Sequence, residues 1–367
     1  MSGNALTPWA EWLVDIDVLL GAVDRGRDQV AEVIRAKDVG AVLALVGEEL
    51  LARCPLLPAT TRPLLVQYFL TSGPDRVGFL VTVTDGVAGW EAAESEHAGV
   101  VIRQDLSDLL IGLFANGSEP AGPAPKVEWH SDDQLLRCTV AILLQAADPG
   151  HQEPLSDIAV TGGADRWRTQ GYIGHYERHL EPFRRARVGL LEIGVGGYKE
   201  HRGGESLGMW RRYFRRGHIY GLDVYDKTAL NNHRVTVFRG SQGDQEVLER
   251  ITRQIAALSI VIDDGSHIAS DVLTCFAGLF PRLAPGGLYI IEDFHIPSHW
   301  TGYGGNQDDT TDPATVAGFV KTLVEGLHFQ EHHRQPSLLD RTITALHCYH
   351  KMIVIEKGLN RDDPTPS

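Results

Sequence analysis

Five short apolar runs in the second half of the chain constrain its fold more than any other feature. They are VGLLEIGV, HIYGLDV, VTVFRGS, LSIVIDD and GLYIIED, at 188–195, 218–224, 235–241, 258–264 and 287–293. Each has the length of a strand, and helix-length segments separate them. That alternation is the pattern of a doubly wound parallel sheet. Near the end, TALHCYHKMIVIEKG at 344–358 holds two strand-like runs in close succession. An antiparallel hairpin there closes the sheet on one edge.

The first 155 residues read differently. DRGRDQVAEVIRAKDVGAVLALVGEELLARC carries Val30, Val33, Ile34, Val42, Leu45 and Leu50 at helical spacing. VGFLVTVTD at 77–85 reads as a strand, and GVVIRQDLSDLLIGLFANG at 99–117 as a strand followed by a helix. The expected organisation is an auxiliary or oligomerisation domain over 1–155, mainly helical α+β, and a second domain over 156–367, joined through ADPGHQEPLSD. No catalytic constellation shows in the first of these.

A formal net charge of −14 argues against a nucleic-acid partner, since neutralising phosphates needs clustered Lys and Arg. The densest basic stretch is WRRYFRRGH at 210–218, and a solvated helix face explains it at least as well as a ligand does. The opening residues lack the pattern of a secretory signal, and no apolar run approaches the roughly 20 residues of a membrane span. Cys54, Cys138, Cys275 and Cys348 are widely separated and form no CxxC pair. Buried free thiols in a reducing cytoplasm are the expectation.

The first apolar run leads into LLEIGVGGYKE. Gly194, Gly196 and Gly197 permit a tight turn and close approach of a ligand to the backbone. A nicotinamide-type GxGxxG frame needs glycine at 199, where Lys199 stands. The stretch fits the E/DxGxGxG-like motif of S-adenosylmethionine methyltransferases, with Glu192 at the acidic position. Asp223 ends the second run, where a carboxylate accepts hydrogen bonds from ribose hydroxyls. Ser241, Gln242 and Asp244 follow the third, in place for an adenine.

Runs four and five end VIDDGSH and IIEDFH. Adjacent strand ends converge in this fold, so Asp263, Asp264, Glu292 and Asp293 repel one another unless a cation lies among them. Oxygen ligands favour Mg²⁺, Mn²⁺ or Ca²⁺ over zinc. With a helix beginning at Gly265 or Ser266, His267 lies in its first turn beside the crevice, placed to take a proton from a hydroxyl. His295 and His299 are poorly placed rivals. The loop PSHWTGYGGNQDDTTD offers Trp300 and Tyr303 for stacking on a sugar or aglycone and glycines for mobility, the make-up of a lid. Asp312-Pro313 then caps a helix whose Val316, Val320, Leu323 and Leu327 face the core.

GADRWRTQGYIGHYERHLEPFR, LLEIGVGGY, GLDVYDK, GSQGD, VIDDGSHI, GGLYIIEDFH and HCYHKMIVIEKG, in this order, resemble bacterial sugar O-methyltransferases of antibiotic biosynthesis. The resemblance spans 162–358. It implies a class I methyltransferase Rossmann-like α/β fold with a preceding auxiliary domain, S-adenosyl-L-methionine and Mg²⁺ as cofactors, and assembly as a tetramer. It implies methylation of a deoxysugar hydroxyl, 2′-OH-like, on a glycosylated natural product. By motif position, Asp264, Glu292 and Asp293 ligate the metal, His267 is the base, and Asp263 belongs to the cofactor side with Glu192, Gly194, Gly196, Asp223, Ser241, Gln242, His175 and Tyr176. The segment before the first strand departs from the family: Arg166 replaces a lysine, Gln170 stands near an expected histidine, and Ile173-Gly174 replaces a Thr-containing pair. Two other readings remain open: a catechol-like aromatic acceptor, which also chelates Mg²⁺, and a non-catalytic cofactor-binding or interaction protein.

Overall fold

The computed structural model describes residues 14–54, 56–117, 122–164, 171–331 and 335–361. The chain forms two compact units, one of Met1–Ala186 with Arg212–Arg216, the other of Arg187–Arg211 with Gly217–Ser367. The units part at 186/187, beyond the join expected near 155. Residues after 155 form α6 (Leu155–Gly162) and α7 (Ile173–Leu180), which pair with each other inside the first unit.

The first unit is built on a five-stranded sheet of order β3-β2-β1-β4-β5: β1 (Leu64–Ser72), β2 (Asp75–Thr84), β3 (Val87–Glu91), β4 (Val100–Asp105) and β5 (Lys126–Trp129). The expected strand at 77–85 is β2, and the expected strand and helix after Gly99 are β4 and α4 (Leu106–Phe114). Central β1 went unread because LLVQYFL is apolar without alternation, a run that suits a helix or a strand equally. Helices α1 (Ile16–Arg25), α2 (Arg27–Arg35), α3 (Val39–Ala52) and α5 (Gln134–Ala146) add buried leucines and valines to its core.

The second unit carries the expected sheet. β6 (Gly189–Ile193), β7 (His218–Asp223), β8 (Val235–Arg239), β9 (Leu258–Asp263) and β10 (Leu283–Ile291) are parallel, in the order β10-β9-β6-β7-β8. The hairpin of β11 (Ile343–Tyr349) and β12 (Met352–Lys357) continues the β10 edge, β12 running antiparallel to β10. Strand order reverses between β6 and β9, and in such sheets the crevice beyond that reversal is where ligands bind. Helices α8 (Glu205–Tyr213), α9 (Gln245–Thr252), α10 (Ala269–Leu279), the short α11 (His295–His299) and α12 (Val316–Leu327) follow the strands, α12 capped by the Thr315 hydroxyl rather than by Asp312. Its Val316, Val320 and Leu323 are buried in the core, as the stripe predicts.

Two expectations about polar and sulfur groups are corrected. Within 210–218, Arg212 and Arg216 are only 7% and 4% exposed, so this stretch is no solvated face. All four cysteines are free, but only Cys54 and Cys275 are buried; Cys138 and Cys348 are exposed.

Phe276 of α10 centres the aromatic packing beneath β10. It stacks on Phe280 at 4.8 Å and meets Tyr289 and Phe319 edge-on at 4.9 and 5.2 Å. Phe276→Ala is expected to lower stability by about 3–5 kcal/mol, the usual range for removing a buried aromatic ring. Chemical denaturation of the purified variant measures this, and a loss below about 1 kcal/mol would contradict the packing described.

Candidate active site at the carboxyl edge of the parallel sheet

Main-chain bonds hold the three central strand ends together past the last ladder residues. The Asp264 amide donates to the Ile193 carbonyl at 3.0 Å, and the Glu292 amide to the Asp263 carbonyl at 3.0 Å. Gly194 follows β6 at φ +82°, and a Cβ there would lie 2.2 Å from the Asp264 carbonyl oxygen. Only glycine suits that backbone and that approach. The glycine turn and the acidic loop therefore meet at the point where strand order reverses. Gly196, at φ +75°, faces open space instead, so its hydrogen leaves room along the turn.

The expected cofactor residues divide between shaping the turn and facing outward. Glu192 is fully buried and accepts from the Ser206 hydroxyl at 3.0 Å, fastening β6 to the start of α8. Asp223 accepts from the Val195 amide at 3.0 Å through one carboxylate oxygen and from the Tyr225 amide at 2.8 Å through the other. Ser241 is exposed and accepts from the Gly243 amide. Gln242, expected beside an adenine, is 4% exposed and points its amide into the sheet edge. Its Nε2 donates to Asp263 at 3.0 Å, and its Oε1 accepts from the Ser266 amide at 2.8 Å.

Asp263 is 1% exposed and also accepts from the Tyr289 hydroxyl at 3.0 Å. Burial pushes its carboxyl up to about 6, against the two hydrogen bonds. Asp263 is thus an internal tie, separate from the half-exposed acids that follow it.

Asp264 and Asp293, two of the four acids expected to converge, do so beside His267. Asp264, His267 and Asp293 offer ligand atoms that all lie within 4.8 Å of one another. Glu292 lies outside this mutual set and is fully buried, but its charge reaches His267. Helix α10 begins at Ala269, so His267 sits in the loop before the helix and not in its first turn. That loop is pinned: the Ser266 hydroxyl donates to Asp271 at 2.9 Å and accepts from the Ile268 amide. His267 and Asp293 both adopt positive φ, +55° and +44°. Left-handed backbone at non-glycine residues is uncommon, and it clusters at functional sites. Nothing in the sequence pattern signals it.

His267 Nε2 stands 3.8 Å from Asp264 Oδ1, too far for a hydrogen bond. Burial pulls the imidazole pKa down, while Asp293 and Glu292 act in the opposite direction. The net direction favours a neutral ring, whose unprotonated nitrogen can accept a proton.

In place of the expected loop, Trp300 caps the short helix His295–His299 and Tyr303 ends a 3-10 turn, Thr301–Tyr303; the two are 47% and 38% exposed, with ring centroids 6.0 Å apart. His295 packs edge-on against Trp300 at 5.5 Å, outside the Asp264–His267–Asp293 set, and His299 lies outside it too. His175 and Tyr176 sit on α7 of the first unit, the first half-buried, the second 1% exposed. Arg166 and Gln170 lie outside the described residues.

Residues 16–120 match the family model described as MycE methyltransferase N-terminal. The chain is 35% identical to mycinamicin VI 2″-O-methyltransferase of Micromonospora griseorubida, over 96% of its own length and 92% of the relative's. It is 40% identical to 8-demethyl-8-alpha-L-rhamnosyl tetracenomycin-C 2′-O-methyltransferase of Streptomyces olivaceus, over 71% and 72%. The solved MycE methyltransferase in complex with Mg, SAH and mycinamycin VI superposes with a TM-score of 0.85 at 32% identity, covering 95% of this chain and 94% of that one. With identity at this level along nearly the whole chain, and a reversed-order parallel sheet carrying the acidic loop at its carboxyl edge, the protein belongs to the sugar O-methyltransferase family of mycinamicin VI 2″-O-methyltransferase and is an O-methyltransferase.

Proposed function

We propose that the protein transfers a methyl group from S-adenosylmethionine to a deoxysugar hydroxyl, 2′-OH-like, of a glycosylated macrolide or polyketide, with Mg²⁺ as metal cofactor. The convergence of Asp264, His267 and Asp293 at the strand-order reversal carries this reading. The donor set fits a hard cation, since two of its three members are carboxylates. Asp264, Asp293 and the buried Glu292 would hold the ion. When bound, Mg²⁺ would offset negative charge developing on a sugar oxygen, and S-adenosylmethionine would supply the methyl group.

The chain's own residues do the rest. His267 takes the hydroxyl proton at an imidazole nitrogen. Burial keeps that nitrogen unprotonated, and the left-handed backbone aims it from a loop fixed by Gln242, Ser266 and Asp271. Asp293 and Glu292 favour the imidazolium once it forms. The Gly194–Gly197 turn lets the cofactor approach the backbone, and the Trp300–Tyr303 pair offers apolar rings to the acceptor's sugar or aglycone. His175 and Tyr176 are assigned to the cofactor, and the protein is assigned to a homotetramer. The proposed location is the cytoplasm, and no helix among the described residues is long and apolar enough to cross a membrane.

His267→Ala is expected to lose about 10²–10⁴-fold in turnover while binding S-adenosylhomocysteine and Mg²⁺ as before. Loss of Mg²⁺ binding in calorimetry would make the histidine a ligand instead. Excess EDTA should abolish transfer and Mg²⁺ should restore it; full turnover in EDTA removes the metal from the reading. Gly194→Ala places a methyl group against the Asp264 carbonyl, and a tenfold or greater loss of S-adenosylhomocysteine affinity is expected, on the order of 1.4 kcal/mol. Mass spectrometry of O-demethylated glycosides and catechols incubated with cofactor and Mg²⁺ tests the acceptor. One methyl gained on the sugar fragment supports the assignment, whereas methylation of catechols alone overturns it.

A further inference from the structure

The first unit contains a cavity of about 190 Å³ whose lining includes Arg53, Arg184, Arg212 and Arg215, against one carboxylate, Glu153. In a chain with an excess of acidic residues, this concentration of guanidinium groups is anomalous. Two of the four are matched in charge. Arg53 pairs with buried Glu49 at 3.0 Å, and Arg212 pairs with Glu153. The other two are held by neutral or distant groups. Arg215 donates to the Asp148 carbonyl at 2.8 Å. Arg184 donates to the Glu153 carbonyl, lies over the Tyr213 ring at 4.6 Å, and reaches the exposed Glu181 carboxylate only at 3.6 Å.

Burial sharpens the imbalance. Arg212 is 7% exposed, and its Nε, a buried donor, has no acceptor among the described residues. A smaller adjoining recess shares Arg184, Arg215 and His151 and adds Arg185 and Arg216. Arg216 is 4% exposed, and both its Nε and its Nη1 likewise have no acceptor among the described residues. A buried donor without an acceptor carries the full cost of its desolvation, and such groups in folded proteins call for an explanation. The electrostatic consequence is visible in the same residues. Burial, followed by the charge of Arg184, brings Arg215 down to about 10, and burial followed by Arg215 lowers His151.

A water molecule answers an unmade hydrogen bond but not a surplus of positive charge; an oxyanion answers both. Guanidinium forks match the oxygens of phosphate in pairs, giving charge-assisted bonds stronger than neutral ones. The volume selects for size. It corresponds to about six waters' share of liquid, too small for a glycoside, since pockets for such ligands start near 300 Å³.

We propose that this cavity is a binding site for a phosphate-class oxyanion, either free inorganic phosphate or the phosphate group of a small monoester, held by Arg184, Arg212 and Arg215. It is a site apart from the residues assigned to methyl transfer, and it does not depend on the acceptor being a sugar.

Calorimetric titration of the full-length protein with inorganic phosphate and with ribose 5-phosphate, each against sodium chloride of equal ionic strength, is the test. Saturable binding of either is expected. Tighter binding of the monoester identifies a metabolite as the natural source, and tighter binding of inorganic phosphate identifies the free ion. Arg215→Gln is expected to weaken binding at least tenfold with methyl transfer unchanged, and Arg215→Lys, which keeps the charge, should recover part of the loss. No saturable heat from the wild-type protein up to about 10 mM of either ligand overturns the proposal, without reference to any variant. Binding within twofold of wild type in a folded Arg215→Gln protein also overturns it.

Discussion

The geometry of the site hangs on one buried carboxylate. Asp263 ends β9, and its two oxygens accept from Gln242 after β8 and from Tyr289 on β10, while its own carbonyl receives the Glu292 amide. A carboxylate at 1% exposure is tolerable only where its lone pairs are satisfied. Its partners therefore cannot drift without exposing the full cost of the burial, and three strands are held at fixed height at their carboxyl ends. Gln242 carries the constraint one step further. Its carbonyl oxygen holds the Ser266 amide, and a Cβ at Gly265 would lie 1.7 Å from that oxygen. The loop bearing His267 is thus built outward from Asp263.

That rigidity sustains the strained backbone at His267 and Asp293. Sparsely populated φ/ψ values cost about 1–3 kcal/mol each and persist only where surrounding structure over-determines them. Around His267, the Ser266 hydroxyl bonds both Asp271 and the Ile268 amide. Around Asp293, the Phe294 amide donates to the Lys351 carbonyl in the β11–β12 turn, and the Ile296 amide to Asp293's own carbonyl. The antiparallel hairpin is therefore more than an edge closure, since its turn supports the exit of β10. Two of the three residues within ligand reach of one another, His267 and Asp293, carry that strain.

The sheet was legible because buried parallel strands are short apolar runs, and their polar ends announce the crevice. Asp264, His267 and Asp293 were legible because charge after an apolar run is costly unless used. What stayed hidden depends on distance in sequence. Gln242 follows a strand as a cofactor residue would, but the Asp263 that claims its amide lies 21 positions on. Glu192 and Asp223 occupy the motif positions, yet burial and backbone donors show them shaping the turn as much as lining it. Central β1 of the first unit lacks alternation, and the helix starting at Ala269 has no capping side chain at its N-cap; the loop before it is held through Ser266, whose amide donates to Gln242, 24 positions away.

The same limit explains the basic stretch at 210–218. Read along the chain, WRRYFRRGH has charges close enough to share a solvated helix face. The fold instead buries Trp210, Tyr213 and Phe214, and a segment that buries three large aromatics brings its neighbouring arginines inward with it. Arg212 and Arg216 then need acceptors, and each finds one carboxylate, Glu153 or Asp24, from a distant part of the first unit. One carboxylate satisfies only part of a guanidinium's five donors. Arg184 and Arg215 line the same two recesses, so positive charge gathers there. A negative net charge says nothing about such a place, because charge segregated by folding is invisible to a sum over the sequence.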